Sequence, residues 1–356
     1  MYAYQSIYYD LKNSIYSGEY PHGQRIPTEK TLMSQYDVSR MTVQKAIAQL
    51  VKDGWISRYP GKGSYVDFQS PISRNNKKLC LILSRSSNHG LNEIIEGVKA
   101  YTEKESYDLA IYYLENNSSA IKYSKEIFEE EYAGYIIQNN IEHIPVQYLT
   151  QIFLENIPVI LLDNKMHSFS FTCVSSDNIA GGYAAMDFAL SQGHKRVAFL
   201  TTKKSLDYTS VRDRFIGFEK RRLETSNSHS DILYVESTNH HELRGCLKFW
   251  REQNGTCLIC ENDLIAIELI EVAYQMGWNV PKDISVIGFD NLKLSGKIQP
   301  GLTTLSQDFF QVGYIAGREI HSLFKPFGVK SDKINVQKHK KVPMTLIKRE
   351  SVLSLE

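Results

Sequence analysis

Several residues carry groups that can do chemistry, and their spacing decides which chemistry. Cys257-Leu-Ile-Cys260 has the spacing of a redox pair. It lies in an apolar run of strand character, where residues three apart face opposite sides, so the pattern reads as buried structural thiols. His240-His241 has no partners at metal-ligand spacing, Gly181-Gly182 is not a phosphate loop, and no nucleophile elbow occurs. These residues predict no catalytic site, no metal site and no cofactor. What remains is hydrogen-bonding chemistry. Asp163 follows the apolar run Pro158–Leu162, Asn262-Asp263 follows Thr256–Cys260, and Asp290-Asn291 closes a run that starts at Ile284. An Asp accepts hydroxyl protons, an Arg such as Arg214 donates a planar fork, and an Asn does both. That is the chemistry of holding a hydroxyl-rich ligand. Nearer the N-terminus, Ser39, Arg40 and Thr42 open a predicted helix and can reach phosphates or base edges of DNA. Other uses stay open: the Asn-Asp and Asp-Asn pairs can cap helices, Arg214 can pair with a structural carboxylate, and Arg40 and Lys45 can be solvated helix charges.

The elements that must position these groups fall into two textures. In residues 1–69, helices are predicted over Ala3–Ser17, Glu29–Tyr36 and Arg40–Asp53. Thr28 and Ser39 are placed as N-caps, and Asp37-Val38-Ser39 forms a short turn between the second and third helices. Trp55–Tyr59 and Ser64–Phe68 read as two strands around Pro60-Gly61-Lys62-Gly63. Two helices, a tight turn and a glycine-tipped hairpin describe an α+β winged helix-turn-helix. Residues 70–77 are polar, contain one proline and read as a linker. From Lys78 onward, strand-like runs alternate with helix-length amphipathic segments. The runs are Leu79–Leu83, Leu109–Leu114, Gly134–Ile137, Pro158–Asp163, Arg196–Thr201, Ile232–Val235, Thr256–Cys260 and Ile284–Asp290. Leu91–Glu105, Asn178–Gln192 and Leu264–Met276 are among the helices. Such alternation means parallel sheets flanked by helices, in one large sheet or two smaller ones. Ligands of open α/β sheets sit beyond the carboxyl ends of the strands.

The 356 residues leave room for two or three folding units. The five cysteines are few and odd in number, so no disulfide framework is implied. The first twenty residues have polar groups every few positions and are not a secretory segment. No apolar run approaches the ~20 residues that span a bilayer. A cytoplasmic protein without a membrane partner is expected. The net charge is only +1, and residues 1–69 hold eight Lys/Arg against six Asp/Glu. Charge alone does not point to nucleic acid.

Motifs do. Arg25-Ile-Pro-Thr-Glu29, Val38-Ser-Arg-Met-Thr-Val-Gln-Lys-Ala-Ile-Ala-Gln-Leu50, Asp53-Gly54-Trp-Ile and Gly61-Lys-Gly-Ser-Tyr-Val66 resemble the GntR-family DNA-binding domain over nearly all of residues 4–68. The resemblance implies a third helix in the major groove. Arg40 would read guanine, with Ser39, Thr42, Gln44 and Lys45 beside it. Arg25, Thr28 and Glu29 would lie near the DNA backbone or base edges, and Gly61, Lys62 and Gly63 would bring the wing to the minor groove. The family often has Arg where this chain has Gln44, which can pair with adenine.

The remainder lacks the length of a transaminase tail, is not all-helical, and is too long for a chorismate-lyase-like tail. Gly193-His-Lys-Arg-Val-Ala-Phe-Leu200, Arg212-Asp-Arg-Phe-Ile-Gly-Phe218, Cys260-Glu-Asn-Asp-Leu-Ile-Ala266, Val280-Pro-Lys-Asp-Ile-Ser-Val-Ile-Gly-Phe-Asp-Asn291, Leu302-Thr-Thr-Leu-Ser-Gln-Asp308 and Val342-Pro-Met-Thr-Leu-Ile-Lys-Arg-Glu-Ser351 resemble the LacI/periplasmic-binding-protein family. That implies an α/β domain over 78–356 with two Rossmann-like lobes. Lobe 1 is expected at about 78–176 plus 301–320, and lobe 2 at about 177–297 plus 321–356. By the same resemblance, Asp163, Arg214, Asn262 and Asp290 contact an effector, and Gln307 lies at the last crossing between lobes. His89, in the loop after the first strand, and Phe309, either core or a ring-stacking face, complete the expected set.

A GntR head on a LacI-like body resembles the arrangement of arabinose-responsive repressors. It implies a homodimer on operator DNA that is released by a monosaccharide, with L-arabinose as the expected effector. A phosphosugar or purine effector is the alternative within this class. A solute-binding protein or an α/β enzyme are the alternatives outside it.

Overall fold

The computed structural model of the chain describes residues 3–16, 19–67, 77–84, 90–114, 125–128, 130, 132–138, 144–155, 157–166, 169–225, 229–324 and 338–355. Residues 70–76 of the expected linker, and His89, lie outside the described residues.

The N-terminal unit comprises α1 (Ala3–Tyr16), α2 (Glu29–Tyr36), α3 (Arg40–Lys52) and an antiparallel hairpin of β1 (Ile56–Tyr59) and β2 (Gly63–Val66). Ile7, Leu11 and Ile15 recur at helical spacing on α1. They close on Leu32 of α2 and on Val43, Ala46, Ile47 and Leu50 of α3, with Ile56 and Val66 covering from the hairpin. Both predicted caps form. Thr28 Oγ1 accepts from the Thr31 N–H at 3.2 Å, and Ser39 Oγ accepts from the Thr42 N–H at 3.3 Å. Asp37 ends α2 in the left-handed region, φ 49°, and turns the chain toward α3.

The rest folds into two sheets of six strands. The first takes β3 (Lys78–Ser84), β4 (Asp108–Leu114), β5 (Gly134–Gln138), β6 (Val159–Leu162) and β7 (Thr172–Ser176), with α4 (Leu91–Lys104) and α5 (Val146–Leu154) between strands. The second takes β8 (Arg196–Thr202), β9 (His229–Val235), β10 (Cys257–Cys260), β11 (Ser285–Asp290) and β12 (Thr303–Ser306). Its helices are α6 (Asn178–Ser191), α7 (Thr209–Leu223), α8 (His240–Glu252) and α9 (Asp263–Gln275). After β12, α10 (Phe309–Phe324) returns to pack on α4 of the first lobe, and β13 (His339–Val342) pairs in parallel with β7. The chain then goes back to lay β14 (Thr345–Ile347) antiparallel to β12. The strand orders are β13-β7-β6-β5-β3-β4 and β14-β12-β11-β10-β8-β9.

The two lobes expected from the sequence are thus present, but the chain crosses between them at other points than 301 and 321. β12 (303–306) belongs to lobe 2 rather than lobe 1, and the end of α10 with β13 (339–342) belongs to lobe 1 rather than lobe 2, while the start of α10 lies in lobe 1 and β14 in lobe 2 as expected. The side chains of β12 explain why. Thr304 Oγ1 donates to Asp263 Oδ1 at 2.6 Å and Thr303 Oγ1 to the Arg349 carbonyl at 3.2 Å, both within lobe 2. β13, His-Lys-Lys-Val, carries no apolar periodicity that could have announced a strand.

Apolar clusters cover both faces of each sheet. Cys257 and Cys260 fall into different clusters on opposite faces of β10, and burial pushes both thiols up. Helices α6 and α7 cross closely at glycines: a Cβ on Gly182 would lie 1.9 Å from the Arg214 carbonyl oxygen, and one on Gly217 would lie 2.0 Å from that of Ile179. No helix among the described residues is long and apolar enough to cross a membrane.

Candidate functional site

A cavity of about 230 Å³ opens between the carboxyl ends of the two sheets. Asp163, Arg214, Asn262, Asp290, Gln307 and Phe309, expected from separate parts of the sequence, all line it. Strand ends bring Asp163 (after β6) and Asp290 (at the end of β11) to the rim, and α7 brings Arg214 across from the second lobe.

Arg214 is 5% exposed, so its charge needs partners. Its Nε donates to Asn178 Oδ1 at 2.9 Å, Nη1 to the Glu261 carbonyl, and Nη2 to Asp290 Oδ1 at 3.4 Å. The guanidinium lies 4.7 Å from the centre of the Phe289 ring. The fork is therefore fixed before any ligand arrives.

Both cleft aspartates take up protons more readily than usual. Burial pushes Asp163 up against the opposing pull of Arg214 and hydrogen bonds from Ser210 and Asn164. Burial likewise pushes Asp290 to about 7, opposed by Arg214 and by a Gln307 hydrogen bond, and aided by Asp263 and Asp163. Each keeps a little surface open to the cleft while protein encloses it on other sides. Gln307 joins the lobes: Ser176 Oγ, at the end of β7, donates to its Oε1 at 2.6 Å, while its amide donates to Asp290 Oδ1.

Asn262 does two jobs. Its Oδ1 caps α9, accepting the Ile265 N–H at 3.0 Å, so only the amide end is left for the cleft, where it lies 3.3 Å from Glu261 Oε1. Asp263 points away and ties loop to strand, accepting from the Leu292 N–H, Ser295 Oγ and Thr304 Oγ1. Phe309 is both core and wall. It packs on the lobe 1 cluster and against Gly90 while lining the cavity.

Sequence reasoning passed over Gln138, Asn164, Ser176, Tyr208, Ser210 and Glu261, which also line the cavity. Gln138 and Glu261 stand at or just beyond strand ends, so the strand-end rule reaches them. Asn164, two residues past β6, falls under the same rule, but its role as a cap has no local signal, because its partners lie 45 and 46 positions away. His240-His241 has no partners at metal-ligand spacing in the sequence, yet the fold sets one ligand atom each of His240, Glu268 and Glu271 within 4.8 Å of one another on the surface of lobe 2.

In the N-terminal unit, one carboxylate organises the exposed polar face. Glu29 accepts from Arg40 Nε at 3.1 Å, Gln44 Nε2 at 3.2 Å and Arg58 Nη2 at 2.6 Å. The Arg40 side chain is 70% exposed. Burial pushes the Glu29 carboxyl up, but the hydrogen bonds from Arg40 and Gln44 and the charges of Arg58 and Arg40 together outweigh it and hold the group below its usual range. Arg58, on β1, was not expected from the sequence. Lys45 turns back toward α1, its ammonium 4.1 Å from the centre of the Tyr4 ring. Arg25 lies across the wing: a Cβ on Gly63, whose φ is +113°, would sit 2.6 Å from its Nε. Thr28, Ser39 and Lys62 are exposed on the same unit.

Comparison with known proteins agrees with both halves. Residues 3–66 match the bacterial regulatory proteins of the gntR family, and residues 186–352 match the periplasmic binding protein-like domain. The chain is 27% identical over 332 residues to the arabinose metabolism transcriptional repressor of Halalkalibacterium halodurans, covering 90% of this chain and 88% of that protein. It is 26% identical over 343 residues to the protein of the same name from Geobacillus stearothermophilus, covering 93% of each. A LacI family transcriptional regulator from Enterococcus faecium with bound ribose has the same body fold. It superposes with a TM-score of 0.63 at 22% identity, over 78% of this chain and all of that one.

Proposed function

With a gntR-family head joined to a periplasmic binding protein-like body as the premise, we propose that the chain is a transcriptional repressor whose grip on operator DNA is released by a small neutral sugar. The observation that carries the sensing half is the interlobe cavity, where Asp163, Asp290, Gln307 and the fixed fork of Arg214 converge from both lobes. Among the described residues its lining bears three carboxylates, Asp163, Glu261 and Asp290, against one cation, Arg214. A phosphate would meet repulsion there, and Arg212, the conceivable second cation, is not among the lining residues. Hydroxyls instead give their protons to carboxylates and accept from the guanidinium. At about 230 Å³ the cavity is below the ~300–1,000 Å³ of sites for drug-sized ligands, which favours a monosaccharide. The names of the two relatives make L-arabinose the effector we propose.

For the head, Arg40 reads a base at the N-terminal end of α3, with Ser39, Thr42 and Gln44 beside it. Arg25, Arg58 and Lys62 approach the backbone from the wing side. Glu29 aligns Arg40 and Arg58. A homodimer sets two heads on a pseudo-palindromic operator. Sugar draws the lobes together, and the heads lose their paired spacing. The coupling is reciprocal: operator must weaken sugar binding by the factor by which sugar weakens operator binding.

A gel shift with the promoter of its own gene tests the reading. Retardation relieved by L-arabinose, but not by a phosphosugar or a purine, is the expected result. No retardation at all would favour a carrier or an enzyme, and relief by a purine would reassign the effector.

A further inference from the structure

Helix α7 carries Arg214, yet its own N-cap residue, Tyr208, makes no side-chain bond to the first turn. Three neighbouring helices of lobe 2 cap themselves. Asp177 accepts from the Ala180 N–H on α6, Asn239 from the Glu242 N–H on α8, and Asn262 from the Ile265 N–H on α9. For α7 the acceptor comes from the other lobe. Asn164, two residues past β6, is 3% exposed. Its Oδ1 accepts from the Ser210 N–H at 3.1 Å, from Thr209 Oγ1 at 3.0 Å and from Ser210 Oγ at 3.3 Å. The Ser210 N–H is the second of the helix, one of those a capping side chain takes. Alongside, the Lys165 N–H donates to Thr209 Oγ1 at 3.2 Å. The other end of the same amide faces the cavity: Asn164 Nδ2 donates to Asp163 Oδ2 at 3.0 Å.

We infer that Asn164 is the latch of lobe closure, a helix cap supplied across the cleft that forms only when the lobes are together and that positions Asp163 as it does so. The inference rests on the reading of the cleft as the effector site. Drawing the lobes apart leaves the first turn of α7 without its acceptor, so the helix that bears Arg214 is complete only in the closed state. An orphaned N–H at a helix start goes to water or destabilises the turn. A ligand that bridges Asp163 and Arg214 favours the same closed state and shifts the population toward it. Asn164 is thus a positioning residue, acting through Asp163 and α7.

Hydrogen exchange on the full chain, with and without L-arabinose, tests this in wild type and Asn164→Ala. The quantity read is the exchange rate of the Ser210 amide relative to that of Ala180, which is capped within its own lobe. Asn164→Ala is expected to raise this ratio roughly tenfold and to enlarge the radius of gyration measured by small-angle scattering. General loosening of the variant moves both amides and leaves the ratio alone. A ratio equal in the two proteins under both conditions overturns the latch. A raised ratio in a protein whose exchange is indifferent to L-arabinose upholds the latch and overturns only the choice of sugar.

Discussion

Arg214 Nη2 lies 3.4 Å from Asp290 Oδ1, yet the Asp290 carboxyl is pushed up to about 7. Burial costs the carboxylate more than the buried cation returns, because Arg214 also divides itself between Asn178 and the Glu261 carbonyl. The sign of the resulting pH dependence follows. Between the ordinary value of 3.8 and about 7, the folded protein holds a proton that the unfolded chain has lost. Stability therefore falls as pH rises through that window. Asp290→Asn removes the titration. Melting temperatures taken at about pH 5 and about pH 8 should fall further for wild type than for the variant; equal falls would contradict the assignment.

The fork of Arg214 predicts that lysine cannot replace it. A lysine keeps the charge but not the planar geometry that meets Asn178, Glu261 and Asp290 together. Arg214→Lys should fold and lose its thermal response to L-arabinose. For a saturating ligand at ~100 times its dissociation constant, wild type should gain about 2.7 kcal/mol. Arg214→Ala should be worse, losing about 3–5 kcal/mol of stability through buried groups left unpaired. Chemical denaturation with and without the sugar reads both effects.

Gly182→Ala sets a methyl against the backbone of the residue that holds the fork. Neither the Arg214 carbonyl nor the α6 backbone can yield as a side chain can, so the helices must separate. Overpacking of this kind costs about 1–3 kcal/mol. Displacement of Arg214 should also weaken sugar binding, which isothermal titration would detect. An unchanged affinity would mean that α7 does not have to be placed accurately.

At the head, Arg40 and Arg58 share Glu29 but should contribute differently. Arg40→Ala is expected to cost about 1–3 kcal/mol of operator affinity and to relax the preference for one base. Arg58→Ala should weaken binding evenly across sequences and lower the salt slope by about 1. Fluorescence anisotropy over a salt series separates the two. An unchanged slope would place Arg58 away from the phosphates.

Local patterns reach much of this molecule. Thr28 and Ser39 are capping residues followed by apolar periodicity, and both caps form. Asp163 and Asp290 follow apolar runs, and strand ends are where an open sheet leaves room. What escapes is whatever depends on partners far along the chain. Asn164 becomes a cap only because α7 arrives from the other lobe. Lys45 resembles a groove-facing cation until α1 lays the Tyr4 ring beside it. The exchange of β12 and β13 between lobes is hidden for a similar reason. One strand is mostly Thr and Ser and the other mostly Lys and His, so neither has a hydrophobic face to declare its sheet.

That exchange has a consequence for the order of assembly. The head buries its core with residues up to Val66. Lobe 1 waits for β13 at 339–342 to close its edge, and lobe 2 waits for β14 and for Ser351, which bonds to the Val286 carbonyl. As the chain leaves the ribosome, the half that grips DNA can be finished some 285 residues before the half that governs it.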